Sequence, residues 1–218
     1  MARSVSMKSG VPSGRRRDPD VDRRVLAAAL ETYGKRGWGG FSVEAVAKQA
    51  GAGKASIYLR WPTKEDLLVD ALHQLGSSKY VETGDVRSDL LSLATQLLQQ
   101  YLSDEGHAAM RLAVETEQIP AVAEAWSKLR ESQILAARRL VRNAIDRGQL
   151  PESTSVTLLL DLLCGATTMH VQATPPRMRH HILAEIDDYA RRLVDFLLTA
   201  VRADEGLVAD HGPDPSAA

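Results

Sequence analysis

The segment FSVEAVAKQAGAGKASIYLRWPTKEDLL, residues 41–68, could bind phosphate in either of two ways. A nucleotide-binding phosphate loop has the pattern G-x-x-x-x-G-K-[ST] and lies between a strand and a helix. Counting back from Gly53 and Lys54, the position of the first glycine is occupied by Lys48, and Ala55 replaces the magnesium-binding hydroxyl. The residues before the loop have helical and not strand periodicity. The segment is therefore not a nucleotide-binding loop.

The same segment has the pattern of a helix-turn-helix, whose second helix enters the DNA major groove. Ser42 is a natural N-cap, and apolar residues spaced three and four apart predict a helix that ends at Ala50. Glycines then predict a turn, followed by a recognition helix from Lys54 to Arg60. Side chains that bind phosphate oxygens or base edges are concentrated here. The predicted DNA-binding residues are Ser42, Lys48, Lys54, Ser56, Tyr58, Arg60 and Lys64.

Helical periodicity continues on both sides of this segment, so the fold class is predicted to be all-α. A first helix begins near Asp20 and ends at the RGWGG sequence, and Thr63 caps a fourth helix. Longer helices are predicted near 86–103, 107–117, 120–147, 153–172 and 180–203. The predicted organisation is an N-terminal three-helix helix-turn-helix DNA-binding domain and a C-terminal helical domain between two disordered ends. Their boundaries are 1–17 for a basic arm, 18–65, 66–203, and 204–218 for a tail.

Charge is distributed unevenly along the 218 residues, although the net charge is only -1. Residues 1–65 contain 13 Lys and Arg against 6 Asp and Glu, whereas the remainder contains 14 against 22. This asymmetry indicates that only the N-terminal part contacts a polyanion. The arm residues Arg15, Arg16 and Arg17 are either DNA contacts or part of a solubilising tail, and the sequence leaves both interpretations open.

Several other classes of protein are disfavoured by the sequence. No uninterrupted apolar run reaches the roughly 18–20 residues of a membrane span, and no signal peptide is evident, so we expect a cytoplasmic protein with no membrane partner. The single cysteine, Cys164, excludes an internal disulfide and a cysteine-based zinc site. No histidine pair has i, i+4 spacing, and no strand-turn-helix elbow presents a serine. We therefore predict no metal, no cofactor and no enzymatic activity.

The helix-turn-helix segment resembles the DNA-binding signature of the TetR family of one-component transcriptional regulators. The resemblance covers about residues 20–72 and rests on Ser42, Val46-Ala47, Ala50-Gly51, Tyr58, Trp61 and Lys64. Two places depart from the family pattern. Ala52-Gly53 replaces a common Val-Ser at the turn, which removes a serine cap, and Leu59-Arg60-Trp61 replaces the common His-Phe after the tyrosine.

The resemblance implies that the C-terminal helices hold a small-molecule pocket and a dimer interface. Soft or semi-polar residues on otherwise apolar helices are the pocket candidates: Tyr101, His107, Met110, Trp126, Met169 and His170. The segment SVTLLLDLLCGATTMH is apolar on nearly all sides, so it requires burial on all sides, and the last helix has a broad apolar stripe. These two segments supply the dimer-interface candidates Leu159, Leu162, Leu163, Ile186, Leu193 and Leu197.

The sequence thus predicts a homodimeric regulator of transcription that responds to a ligand. The favoured form is a repressor that binds a palindromic double-stranded DNA operator and is released by a largely apolar small-molecule inducer. Three alternatives stay open at this stage. They are an activator of the same fold, an all-α ligand-binding protein or enzyme with an incidental basic N-terminus, and a non-specific architectural DNA binder.

Overall fold

The computed structural model describes residues 19–75 and 82–210, and within these ranges it contains α- and 3₁₀-helices and no strand. The prediction of an all-α fold is confirmed. The basic arm, including Arg15–Arg17, lies outside the described residues. The α-helices are α1 Pro19–Gly40, α2 Val43–Ala50, α3 Lys54–Tyr58, α4 Lys64–Leu75, α5 Val86–Leu102, α6 Asp104–Glu115, α7 Pro120–Asp146, α8 Val156–Ala173 and α9 Arg179–Asp210.

Local capping interactions set the boundaries of the short N-terminal helices. The Ser42 hydroxyl accepts a hydrogen bond from the Ala45 backbone N–H at 3.2 Å, as expected of an N-cap. Thr63 and Asp66 form a capping box, because each side chain accepts a bond from the other's backbone N–H, at 3.0 and 3.2 Å. Helix α1 is interrupted at Gly37, where φ is +64°, a conformation that glycine adopts without steric cost.

Two hydrophobic cores hold the helices together. The first joins α1–α4 to α6 and the start of α7, with Tyr33, Leu68 and Leu112 fully buried. The second joins α5, the end of α7, α8 and α9 around residues such as Leu90 and Leu163. Helix α4 packs in the first core, so the predicted domain boundary at residue 65 falls inside a helix. The helix-turn-helix is consequently fixed to α6 and α7.

The end of the last helix differs from the prediction. Helix α9 extends to Asp210, seven residues beyond the predicted end at residue 203. No proline interrupts the chain before Pro213, and a single glycine is tolerated within a helix. The rest of the predicted tail lies outside the described residues.

Helix α8 also differs from the prediction, because it is long and apolar enough to cross a membrane by length and composition. Asp161 interrupts the apolar run, but the average over 18 residues remains apolar. Core helices of soluble proteins have the same composition, so this is weak evidence for a membrane span. Here α8 packs Leu159, Leu163 and Val171 into the second core.

A polar network joins α1 to α6 beneath the helix-turn-helix, and we call it the α1–α6 contact. The Glu115 carboxylate accepts hydrogen bonds from the Tyr33 hydroxyl at 3.0 Å and from the Trp38 backbone N–H at 3.2 Å. Arg111 donates to Glu115 at 3.1 Å and to the Gly34 carbonyl at 2.7 Å. A Cβ added at Gly34 would lie 2.9 Å from the backbone nitrogen of Ala108, so the two helices touch. The α1–α6 contact thus joins the two helices through both hydrogen bonds and close backbone packing.

Replacing Glu115 tests how strongly this contact stabilises the fold. Glu115→Ala leaves the buried Tyr33 hydroxyl and the Trp38 N–H without their acceptor, so we expect a loss of about 2 kcal/mol in the free energy of unfolding. Urea denaturation measures it. The control is Glu117→Ala, which removes an exposed glutamate two residues away. An equal effect of both substitutions would contradict the prediction.

The same carboxylate gives the effect a pH dependence. Burial acts to raise the pKa of Glu115, but the bonds from Tyr33, Trp38 and Arg111 outweigh burial and lower the pKa below its ordinary value. A lowered pKa in the folded state stabilises the protein above the unfolded-state pKa of about 4.3, and this stabilisation is lost as the pH falls through the folded-state pKa. The difference in the free energy of unfolding between wild type and Glu115→Ala should therefore be largest at neutral pH and decrease below about pH 4.

Candidate nucleic-acid interface

Helices α2 and α3 pack at a tight turn that leaves α3 on the surface. Gly51 ends α2 with φ +62°, and Ala52 donates its backbone N–H to the Ala47 carbonyl at 3.0 Å. Ile57 is 1% exposed and packs into the first core, which fixes the orientation of α3. The opposite side of α3 faces solvent, as the second helix of a helix-turn-helix must. The turn was predicted from its glycines and small residues, and the structure confirms it.

Three of the predicted DNA-binding residues are exposed around this surface. Lys48 lies near the end of α2, and Lys54 and Tyr58 lie one helical turn apart on α3. Tyr58 is 41% exposed, and its ring centroid is 5.7 Å from the Lys54 ammonium. The arrangement presents two cations and a phenol to solvent on one side of the domain, and their contact with DNA remains a prediction.

The two cationic residues of the recognition segment have carboxylate partners. Lys54 forms an ion pair with Glu44 on α2, and this hydrogen bond raises the pKa of Lys54 and lowers that of Glu44. Arg60 lies 2.7 Å from the Asp22 carboxylate on α1 and donates to the Ser56 hydroxyl at 2.8 Å. Ser56 and Arg60 are thus engaged with each other. Sequence periodicity gave no sign of the Asp22 partner, because it lies 38 residues away.

The remaining predicted residues have structural tasks. Ser42 caps α2, as described above. The Lys64 ammonium lies 3.4 Å from the carbonyl oxygens of Trp38 and Phe41 and 3.7 Å from the centroid of the Trp38 ring. Lys64 therefore caps the carboxyl end of α1 in this conformation. Its contact with a DNA phosphate stays a prediction. Trp61 is buried between helices and donates its indole N–H to Asp70 at 2.8 Å.

The sequence prediction missed one residue of this surface, Leu59. Its side chain is 87% exposed, more than any other large apolar residue among those described. Leu59 is the C-cap of α3 and keeps helical dihedral angles, with φ −65° and ψ −23°. The sequence offered one signal, since Leu59 lies in the Leu59-Arg60-Trp61 segment that departs from the pattern of the resemblance.

The two glycines of the turn should respond oppositely to the same substitution. Gly51→Ser introduces a side chain at φ +62° and is expected to cost about 1–2 kcal/mol. Gly53 has φ −70°, open space at its Cβ and no side-chain cap on α3. Gly53→Ser is therefore expected to stabilise by roughly 1 kcal/mol, through a new N-cap and a less flexible unfolded chain. Thermal unfolding of both variants measures the difference, and a change of the same sign in both would refute the argument.

The predicted ligand-pocket residues do not meet in a single cavity. Tyr101 and Trp126 line a small cavity of about 40 Å³ between α5, α6 and α7. This volume holds about one water molecule, far less than the roughly 300–1,000 Å³ of a ligand pocket. Met110 lies on α6, outside this cavity lining, and its sulfur is 3.5 Å from the Gln172 amide nitrogen. A ligand could enter the cavity beside Tyr101 and Trp126 only if α5, α6 and α7 moved apart.

The other candidates lie towards α8 and α9. Met169 and His170 line an open groove of about 430 Å³ together with Tyr189, whose ring stacks on His170 at a centroid distance of 3.8 Å. Burial lowers the pKa of His170. His107 belongs to neither cavity, and its Nε2 lies 2.9 Å from an Arg179 guanidinium nitrogen. Burial and this guanidinium lower the pKa of His107, so it is neutral at pH 7.

Four of the predicted dimer-interface residues are buried inside the protomer. Leu159, Leu163, Ile186 and Leu197 are at most 6% exposed in the second core, so they cannot form a surface. The prediction was wrong for them because a helix that is apolar on all sides gives no indication of which side faces its own core. Leu162 is 48% exposed and Leu193 is partly buried.

The apolar surface lies on neighbouring faces of the last two helices, and we call it the α8–α9 face. Each helix contributes residues at i, i+4, i+7 and i+11 that share one side. Met169 and Tyr189, one from each stripe, line the same groove, so the two stripes are adjacent. Phe196 is 71% exposed. The face consists of Leu158, Leu162, Gly165 and Met169 on α8 and Tyr189, Leu193, Phe196 and Ala200 on α9.

Other reactive chemistry is sparse in the described part of the chain. No group of three histidine, cysteine or carboxylate side chains there is arranged to hold a metal ion. Burial raises the pKa of the Cys164 thiol, which keeps it protonated at neutral pH. The exposed recognition surface and the α8–α9 face are therefore the features that suggest function.

Comparisons with known proteins agree with this geometry. The sequence model of the family described as Tetracyclin repressor-like, C-terminal domain, matches residues 81–197, and that of Bacterial regulatory proteins, tetR family, matches residues 25–71. The chain is 25% identical over 193 residues to the uncharacterized HTH-type transcriptional regulator YdeS of Bacillus subtilis, a match that covers 87% of this chain and 94% of that protein.

Two further likenesses concern part of the sequence and the fold. Over 71 residues the chain is 37% identical to the DNA-binding transcriptional repressor TetR of Mycobacteroides abscessus, covering 31% of this chain and 37% of that protein. The crystal structure of the transcriptional regulator FadR from Bacillus subtilis in complex with stearoyl-CoA has a TM-score of 0.58 and 16% identity, covering 81% of this chain and 97% of that chain. At this identity the structural likeness shows a shared fold.

Proposed function

The chain belongs to the TetR family of helix-turn-helix transcriptional regulators, and we propose that it is a homodimeric repressor that leaves its operator when a small molecule binds. Its relatives are regulators of transcription and not enzymes. The observation that carries the proposal is the pairing of an exposed α3 at one end of the chain with an exposed apolar face at the other. The first suits DNA, and the second suits another copy of the chain.

DNA binding places α3 in the major groove, with Lys54 and Tyr58 against the phosphates and base edges. The ion pairs of Lys54 with Glu44 and of Arg60 with Asp22 are both partly exposed, so water and salt weaken them. The phosphate backbone therefore competes readily for both cations. Lys48, at the end of α2, adds a cation beside the backbone. A cytoplasmic location follows from this role.

The α8–α9 face forms the dimer interface in this proposal. A twofold axis through the face would pair α8 and α9 of one protomer with the same helices of its partner in a four-helix bundle. Each protomer would then bury its exposed Leu162 and Phe196 side chains in the interface, so that the dimer buries two copies of each. The symmetry presents two copies of α3 to one duplex, so the operator is expected to be palindromic.

Release from DNA is proposed to begin at the small cavity beside Tyr101 and Trp126. A ligand that entered would separate α5, α6 and α7, because the cavity of about 40 Å³ is too small for it. Movement of α6 reaches α1 through the α1–α6 contact. The lining is mixed, with Leu97 and Leu129 beside Gln100 and Arg130, which suits a largely apolar ligand that carries a polar group. The FadR structure, which has a similar fold, is a complex with stearoyl-CoA, and this supports the same ligand class here.

The proposal is tested by fluorescence anisotropy with labelled duplex DNA from upstream of the chain's own gene and with unrelated duplex, at two salt concentrations. A specific regulator is expected to prefer its operator by about 10³-fold or more. Equal, strongly salt-dependent binding to both duplexes would indicate a non-specific DNA binder instead. Binding to neither would favour the ligand-binding protein with an incidental basic N-terminus. If the operator is not upstream of the gene, selection of bound genomic fragments supplies the duplex.

Ligand response is tested on the same complex with a panel of fatty acids and acyl-thioesters. Coupling between the two sites is reciprocal and typically 5–150-fold. An inducer should therefore lower operator affinity by this factor, and the operator should lower inducer affinity equally. A compound that binds the protein equally with and without the operator would not be the inducer. An activator would bind the operator more tightly when its ligand is present.

A further inference from the structure

The exposed surface of the recognition segment includes apolar side chains beside Lys54. Ala55 and Leu59 lie four residues apart, and the Leu59 backbone N–H bonds to the Ala55 carbonyl at 3.1 Å, so both side chains are on one face of the same helical turn. Leu59 is 87% exposed, and Tyr58 beside it is 41% exposed. We call Ala55, Tyr58 and Leu59 the α3 apolar stripe.

The polar groups around the stripe are already engaged. Arg60, the side chain best suited to a bidentate contact with guanine, lies 2.7 Å from Asp22 and donates to Ser56. Its side chain is 23% exposed, so its guanidinium is held against the protein. Lys54 is paired with Glu44 at the start of the helix. The turn adds Gly51, Ala52 and Gly53, none of which has a hydrogen-bonding side chain. Leu59 is therefore the most exposed large apolar side chain that α3 presents to the base edges, beside Lys54 and Tyr58.

Only one group in the major groove matches an apolar stripe, and that group is the C5 methyl of thymine. The other base edges present hydrogen-bond donors and acceptors, which an aliphatic side chain cannot satisfy. A solvated leucine gains free energy when it contacts a methyl group, because both lose contact with water. We infer that Leu59, with Ala55, determines operator specificity by contacting a thymine methyl group in each half-site. This inference rests on the proposed function, since it requires α3 to enter the groove.

Deoxyuridine isolates this contact, because it differs from thymidine by the methyl group alone. The operator duplex, selected with the wild-type protein, is resynthesised with deoxyuridine at one thymine position at a time, in both half-sites together. Removing one methyl contact is expected to weaken binding about fourfold per half-site, or roughly 15-fold for a symmetric pair. With Leu59→Ala, most of the discrimination between thymine and uracil at that position should be lost. Anisotropy at constant salt measures each dissociation constant.

The control variant is Leu135→Ala, which removes another exposed leucine, on α7, and should keep the full discrimination between thymine and uracil. Leu59 contacts solvent over most of its surface, so its replacement is expected to leave the thermal unfolding curve unchanged. Insensitivity of wild type to uracil at every position would overturn the inference. So would a discrimination that persists undiminished in Leu59→Ala.

The experiment separates this inference from the proposed function. If selection enriches no sequence, specific DNA recognition itself is absent, and both the function and the inference fall. If a sequence is enriched but its thymine methyl groups have no effect, the regulator stands and only the role of Leu59 is overturned.

Discussion

Replacing Lys54 and Tyr58 together by alanine is expected to abolish sequence-specific DNA binding. Each is exposed on α3, and a dimer presents both twice, so the variant removes four contacts from one complex. Loss of a base or phosphate contact of this kind typically costs about 1–3 kcal/mol. Four such losses lower the operator affinity by at least 10³-fold, which is the gap between specific and non-specific binding. Affinity for unrelated DNA should fall far less.

The control for this variant is Lys128→Ala. Lys128 is an exposed lysine on α7 that forms a 2.6 Å ion pair with Glu124, so its replacement breaks a comparable surface ion pair away from α3. Anisotropy on operator and unrelated duplexes, at one salt concentration, gives the ratio for all three proteins. If the double variant kept its preference for the operator within about tenfold of wild type, α3 would not be the recognition helix.

A Leu162→Asp/Phe196→Asp variant is expected to be monomeric. Both positions lie on the exposed α8–α9 face, and the twofold axis would bury four new carboxylates in one interface. Each buried, unpaired charge costs several kcal/mol, so the dimer dissociation constant should rise by more than 10³-fold. Operator affinity should fall by about 10²-fold, because a monomer cannot bind a second half-site at the high effective concentration that the dimer provides.

Sedimentation velocity at micromolar concentration measures the change in mass. Val114→Asp is the matched control, since Val114 is 79% exposed on α6, outside the α8–α9 face. The protomer itself should survive the substitutions, because the second core is formed by other residues, such as Leu163 and Leu197. A double variant that still sediments as a dimer would place the interface elsewhere. A monomeric wild type would contradict the proposal that the protein is a homodimer.

The features that the sequence predicted well are those determined by local chemistry. A serine hydroxyl at position 42 caps the helix that follows it, and a glycine at 51 adopts the positive φ that ends that helix. The same holds for the capping box that begins at Thr63. Such signals lie within four residues of the structure they determine, so a single sequence contains them. The all-α fold and the helix-turn-helix follow from them.

The features that the sequence did not predict depend on distant contacts. The partner of Arg60 is Asp22, and the carboxylate that stabilises the end of α1 is Glu115, 77 residues from Trp38. Helix α8 is apolar on most sides, so periodicity could not separate Leu159, which faces the core, from Leu158, which faces solvent. The exposure of Leu59 likewise depends on contacts between helices, because the burial of Ile57 in the first core fixes which side of α3 faces solvent.

Hydroxyl-radical footprinting of the wild-type protein on its selected operator tests the central claim most directly, because it locates both copies of α3 on the DNA. A dimer bound to a palindromic operator is expected to give two symmetric protected regions on the same side of the duplex. Their centres should be 34–36 Å apart, or a multiple of that distance, with the enriched sequence repeated as an inverted pair. A single asymmetric protected region, or uniform protection along the duplex, would contradict a dimeric regulator that recognises a palindromic operator.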